Sequence, residues 1–216
     1  MNGYLYILLA ALIIFIAFMI FQAVGGKLIG GKIEDLGIFV GPTIFHFKLG
    51  EVTVRLNALP LGSYVKFSDD FQLLHPLRKT LAVLAGLVSY LVLAFIGLGF
   101  AETFQQVSSG FVQILSGVIS PVAVGSRLVE VLANVFQEKS FPVGLGILAS
   151  KLLAFNLIPV GSLSGGMIVL YLLELFNIKS EKLSERYNLI GLLFVSIVTL
   201  VWIFAFVIAF WRNSAS

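Results

Sequence analysis

The first 26 residues, Met1 to Gly26, contain no charged side chain, and Tyr4 to Val24 alone supplies 21 residues of apolar character. At 1.5 Å rise per residue a helix of that length crosses a hydrocarbon core of about 30 Å. A secretory signal peptide needs a charged n-region and a shorter apolar stretch, so residues 4–24 read as a membrane span. Two further charge-free runs read the same way. Leu81–Ala101 is preceded by Arg78 and Lys79 as interfacial anchors, and Leu189–Trp211 is closed by Trp211 and Arg212.

Composition agrees. Of 216 residues, 59% are hydrophobic and 12% charged, about half the charge of an ordinary soluble domain. The formal net charge of +3, with no basic run, excludes a nucleic-acid binder. Cysteine is absent, which removes thiolate metal sites and cysteine nucleophiles, and the two histidines are His46 and His75.

The region 141–176 reads as a third span with an interruption. Leu152–Leu173 lacks charge but holds Pro159, Gly161, Ser162, Ser164, Gly165 and Gly166, so an irregular loop over 156–166 is expected between helical parts. Irregular backbone at membrane depth is tolerated only when buried in protein or lining a wet cavity. Thr103–Ser126 is uncharged but carries Gln105, Gln106, Ser108, Ser109, Gln113 and Pro121, and reads as interfacial or re-entrant. Arg127–Lys139 places Leu128, Val131, Leu132 and Val135 at helical spacing, an amphipathic pattern.

Residues 33–67 read as strand. Thr43–Phe47 and Glu51–Leu56 flank Leu49-Gly50, and Ser63–Phe67 alternates in polarity. The excess of Lys and Arg falls in two segments, Lys27 to Lys79 and Lys179, Lys182 and Arg186, which places both in the cytoplasm and both termini outside. Gly25-Gly26 and Gly30-Gly31 read either as a small-residue helix contact or as the loop that ends the first span. Gln22 and Asn156 are the amides expected to meet inside the bundle, and Glu174 is expected to be an interfacial carboxylate.

Three passages together resemble the site-2 protease family of intramembrane zinc metalloproteases. Gly41-Pro42 leads into Phe47-Lys48-Leu49-Gly50-Glu51 and then Pro60-Leu61-Gly62-Ser63-Tyr64-Val65-Lys66, similar to the family's membrane-associated sheet. Leu84-Ala85-Gly86 is similar to the Ala-Gly-Pro that heads the second span, with Leu87 where Pro is usual. Asn156-Leu157-Ile158-Pro159 followed by Leu163-Ser164-Gly165-Gly166 is similar to the Asn-Leu-Leu-Pro and Leu-Asp-Gly-Gly passages. Lys182 to Arg186 and Ile190-Gly191 look like the stretch before the last span, and Glu102–Ser120 is too short for the PDZ domains that many members carry.

The resemblance implies an all-α polytopic membrane protein with about four transmembrane helices, a small cytoplasmic β-sheet at the membrane and no PDZ domain. It also implies where a zinc site belongs: a His-Glu-x-x-His turn in the first span and the Asp of Leu-Asp-Gly-Gly. Two imidazoles at i and i+4 share a helix face, the third ligand leaves a position for water, and the Glu takes its proton. Aligned without gaps from Gly41-Pro42, those places fall on Phe18, Met19 and Gln22, with Ser164 in place of the Asp. None supplies an imidazole or a carboxylate. No metal and no cofactor are expected.

The expected function is therefore that of a pseudoprotease in a bacterial-type inner membrane, binding lipid and a membrane protein or transmembrane peptide without cutting it. The residues expected to make that contact are Val52, Val54, Leu56, Ser63, Tyr64 and Val65 of the sheet, by strand addition, and Asn156, Pro159, Ser162, Gly165 and Gly166 of the loop. An accessory structural subunit of a larger membrane complex is the alternative. An active metalloprotease with a metal site built from unexpected residues is a third reading.

Overall fold

The computed structural model describes residues 2–178 and 181–215. Its order is α1 (Asn2–Leu28), β1 (Ile33–Leu49), β2 (Val52–Phe67), a 3-10 turn (Asp69–Leu73), α2 (Pro76–Leu98), α3 (Phe100–Ile119), a π-helical turn (Pro121–Gly125), α4 (Ser126–Glu138), α5 (Phe141–Leu157), α6 (Ser164–Leu175) and α7 (Glu181–Ala215). Among the described residues three helical stretches are long and apolar enough to cross a membrane: Gly3–Leu28, Pro76–Leu98 and Ser184–Ser214. Helices α5 and α6 are shorter, 17 and 12 residues. Lys179, counted above among the loop cations, lies outside the described residues.

Helix α1 is apolar on every side, as expected of a membrane helix. Its buried stripe Tyr4, Ile7, Ala10, Ile14 and Phe18 recurs every three or four residues, while Leu5, Leu8 and Leu9 stay exposed. The helix closes on two glycine pairs with separate duties. Gly25 packs on Ala85 of α2 and Gly26 under the Phe67 ring. Gly30, at φ +95°, donates to the Lys27 carbonyl and Gly31 to that of Gly26, the double bond pattern of a glycine-terminated helix.

Strands β1 and β2 pair across the two-residue turn Gly50-Glu51, with Leu49 opposite Val52. Both strands bend, at Gly41 (φ +89°) and Gly62 (φ +137°). The bend lets Asp35–Ile38 take partners on two sides: Leu36 lies opposite both Val65 and Val54, and Gly37 opposite both Tyr64 and Arg55.

Helix α2 begins at Pro76, which needs no donor there, and His75 Nδ1 accepts from the Leu77 amide as its cap. It occupies the centre of the bundle, against α1, α5 and α6. Thr103–Ile119 is a regular helix because the buried positions of α3, Thr103, Gly110, Ile114 and Gly117, fall on one stripe that packs on α5 and α7. Helix α4 buries Val129, Ala133 and Phe136 against α1, where Gly3 meets the Ala133 backbone. Tyr4 Oη donates to the Ala209 carbonyl of α7 at 3.0 Å, so the two ends of the chain meet at one end of the bundle.

Candidate functional site

Of the positions that the family resemblance assigns to a metal centre, Phe18, Met19 and Gln22 lie on α1 and Ser164 on α6. Phe18 is buried, and its ring stacks on Tyr90 with centroids 5.2 Å apart and planes at 20°. Gly86 makes the room: a Cβ there would lie 2.6 Å from Phe18 Cε2. Ile14, Leu87, Ala94, Ala149 and Leu153 complete the cluster. Met19 is also buried and Gln22 half-buried. Where a cavity would need polar walls, the chain has apolar filling that avoids desolvated polar atoms.

Asn156 enters this cluster from α5. Its Nδ2 donates to Tyr90 Oη at 3.3 Å and to the Leu152 carbonyl at 2.9 Å. The expected partner, Gln22, is not the one the amide finds. Tyr90 was not singled out by the sequence because an aromatic residue in an apolar run carries no sign of which amide it will meet.

Six residues, Ile158–Leu163, separate α5 from α6. They are clamped from two sides. Gly165 and Gly166 open α6 and press on the carbonyls of Leu157 and Val160, where any side chain would collide. From α7, Tyr187 Oη donates to the Pro159 carbonyl at 2.6 Å. Ser162, at φ +70°, donates from its hydroxyl to the Asn188 carbonyl at 3.0 Å. Gly191 lies directly on the Gly161 carbonyl. Ser164, the residue at the implied Asp position, is buried at the start of α6. Gly191→Ala is expected to cost about 1–3 kcal/mol by overpacking backbone against backbone. Thermal unfolding in detergent checks this, and an unchanged midpoint would show that the clamp yields freely.

The sheet residues divide. Val54 lies between Leu36 and Phe47, and Leu56 between Ile38 and Phe45. A strand paired on both sides has no edge to offer, so the expected strand addition at Val52–Leu56 is corrected: Val54 and Leu56 are interior, and Val52 pairs with Leu49 in the hairpin. Ser63, Tyr64 and Val65 pair only with Ile38, Gly37 and Leu36. Ser63 Oγ is tied to α1, donating to the Phe15 carbonyl at 2.7 Å.

One lysine departs from expectation, and a second was not singled out. Lys79 is not an interfacial anchor: its side chain is 1% exposed, pairs with Glu174 and lies 5.1 Å from the centre of the Tyr171 ring. Glu174, its partner, keeps 20% of its side chain exposed and lines a pocket with His75 and Pro76. Lys151, half-buried in α5, donates to the Gln106 carbonyl at 2.8 Å and to Ser109 Oγ at 2.7 Å. It is the one charged residue between Phe141 and Leu173, a signal that the sequence offered.

Helices long and apolar enough to cross a membrane, a bent strand pair and a Gly-Gly helix start pressed on a proline-containing connection agree with what the resemblance to the site-2 protease family implies, a helical membrane protein of that class. The chain belongs to Peptidase family M50, whose model matches residues 6–201. It is also 34% identical over 112 residues to a protein of Clostridium perfringens (strain 13 / Type A) provisionally named a zinc metalloprotease. That match covers 44% of this chain and 33% of the relative, so the chain aligns with a third of the relative's length. No solved structure matches.

Zinc is held by thiolate, imidazole or carboxylate groups. Phe18, Met19, Gln22 and Ser164 present a phenyl ring, a thioether, an amide and a hydroxyl. Among the described residues no three His, Cys, Asp or Glu side chains come together in a group that could hold a metal ion. The residues present at this place do not fit a zinc ion.

Proposed function

We propose that this chain is a non-catalytic member of its family, which holds a membrane-embedded helix or peptide segment of another protein without cutting it. The observation that carries this reading is Phe18, whose ring fills the space between α1 and α2 at the position implied for a metal ligand. A side chain packed this closely on Gly86 and Tyr90 leaves no room there for a hydrated ion. Hydrolysis of a peptide bond needs an activated water, and this donor set has neither the Lewis acid's ligands nor the base.

In this reading α5 and α6 with their connection form the third of four crossings, interrupted at membrane depth, in a bacterial-type inner membrane with both termini outside. The meeting of Tyr4 with Ala209 at one end of the bundle agrees with an even number of crossings. The strand segment Ser63–Val65, paired on one side, and the clamped loop with Asn156, Pro159 and Ser162 are the surfaces offered to the partner.

Two measurements test the proposal. Protein purified from zinc-supplemented medium is expected to contain far less than one zinc per chain, and stoichiometric zinc would overturn the reading. A photo-crosslinker at Tyr64 in native membranes is expected to trap a discrete partner chain. Recovery of lipid and detergent adducts alone would count against partner binding.

A further inference from the structure

Helix α3 carries a second stripe beside its buried one. Glu102, Gln106, Ser109 and Gln113 recur at intervals of four, three and four residues, which puts them on one face. Over this stripe lies Lys151 of α5, with two of its three ammonium donors committed, to the Gln106 carbonyl and Ser109 Oγ. Among the described residues no carboxylate forms an ion pair with it. Glu102 accepts from Gln106 Nε2 at 2.7 Å, tied to its own helix.

Where α5 forms part of a membrane crossing, Lys151 lies about 15 Å along the helix from Phe141 and about 9 Å from Leu157. Lipid phosphates lie outside the hydrocarbon, so an anion at that depth is one carried by a protein helix. Ionisable groups within a membrane pair with one another, because an unpaired charge there is costly. Lys151 is half-buried at the seam of α3 and α5, where its third donor has no carboxylate partner among the described residues.

We infer that the polar stripe of α3 together with Lys151 is the docking surface for a transmembrane helix of a partner protein bearing an Asp or Glu at the depth of Lys151. The amides and hydroxyl of the stripe then serve as interhelical hydrogen-bond partners around a central ion pair. This rests on the proposed capture of a membrane helix and names the chemistry that selects it.

The test uses the full chain reconstituted in phosphatidylcholine bilayers with fluorescent polyleucine transmembrane peptides that differ only in one central residue, Glu or Gln. Energy transfer is expected to report association about tenfold tighter for the Glu peptide. In Lys151→Met the preference is expected to vanish, and in Lys151→Glu to turn toward a peptide with a central Lys. The wild-type comparison needs no variant, so a misfolded mutant does not blunt it. Equal binding of the Glu and Gln peptides overturns the inference and leaves helix capture standing. Binding of neither peptide also overturns it, while crosslinking at Tyr64 decides the broader proposal separately. Labelled phosphatidylglycerol that binds in a Lys151-dependent way and displaces the Glu peptide assigns the site to lipid and overturns it too.

Discussion

Lys79→Met is expected to lower the unfolding free energy by about 3 kcal/mol, the low end for breaking a buried ion pair from one side, because the Glu174 left behind keeps 20% of its side chain exposed. Lys79 Nζ lies 2.5 Å from Glu174 Oε2 and also donates to the Gln72 carbonyl at 3.3 Å. The lysine sits in the first turn of α2, where the helix dipole already presents positive charge, and Glu174 in the last turn of α6, where it presents negative charge. Each group is at the wrong end of its own helix. Their pairing cancels both conflicts, and removing one partner restores the other's. Methionine keeps the length and apolar stem, so the loss reads the charge rather than the volume. The double replacement Lys79→Met with Glu174→Met is expected to recover most of the loss, because a matched apolar pair carries no desolvation cost. Denaturant titration in detergent measures both. A silent single mutant would show that the pair contributes nothing to stability.

Phe18→Ala is the second large effect, about 3–5 kcal/mol, from the lost ring and the cavity it leaves. The ring touches Gly86 on one side and Tyr90 on the other, and glycine has no side chain with which to close the gap. Collapse would require α1 and α2 to move together along a contact that Gly25 and Ala85 already hold tight. Phe18→Leu, which keeps most of the volume, is expected to cost less than half as much. Thermal unfolding of both variants checks this. A loss below about 1 kcal/mol for alanine would mean that the ring lines an open cleft rather than filling one, and the case against a metal site there would weaken.

Long apolar runs declare three of the helices plainly, because length and lack of charge are local properties of the chain. The turn at Gly50 and the cap at Gly30 are equally local. What the sequence does not declare is pairing at a distance. Arg78-Lys79 before a span has the pattern of an interfacial anchor, and only the arrival of Glu174, 95 residues later, turns Lys79 inward. Val52–Leu56 alternates as an edge strand does, and nothing in its own residues says that the bend at Gly41 brings Asp35–Ile38 to its other side. Asn156 was expected to meet Gln22, but the choice among partners is made by the packing of α2, which supplies Tyr90. At the candidate site the missing imidazoles and carboxylates can be read from residue identities alone, whereas the closing of that space by Phe18 over Gly86 depends on the approach of two helices.

The hydrogen bond from Tyr4 to the Ala209 carbonyl has a temporal consequence. Its donor and acceptor are separated by 205 positions. At a synthesis rate of about 5–20 residues per second, roughly 10–40 s pass between the emergence of Tyr4 and that of its acceptor. During that interval the Tyr4 hydroxyl is without this acceptor. The Tyr4 ring, edge-on to both Phe206 and Phe210, is therefore the part of α1 that is covered last, because the rest of the helix packs on α2, α4 and α5, which precede α7 in the chain.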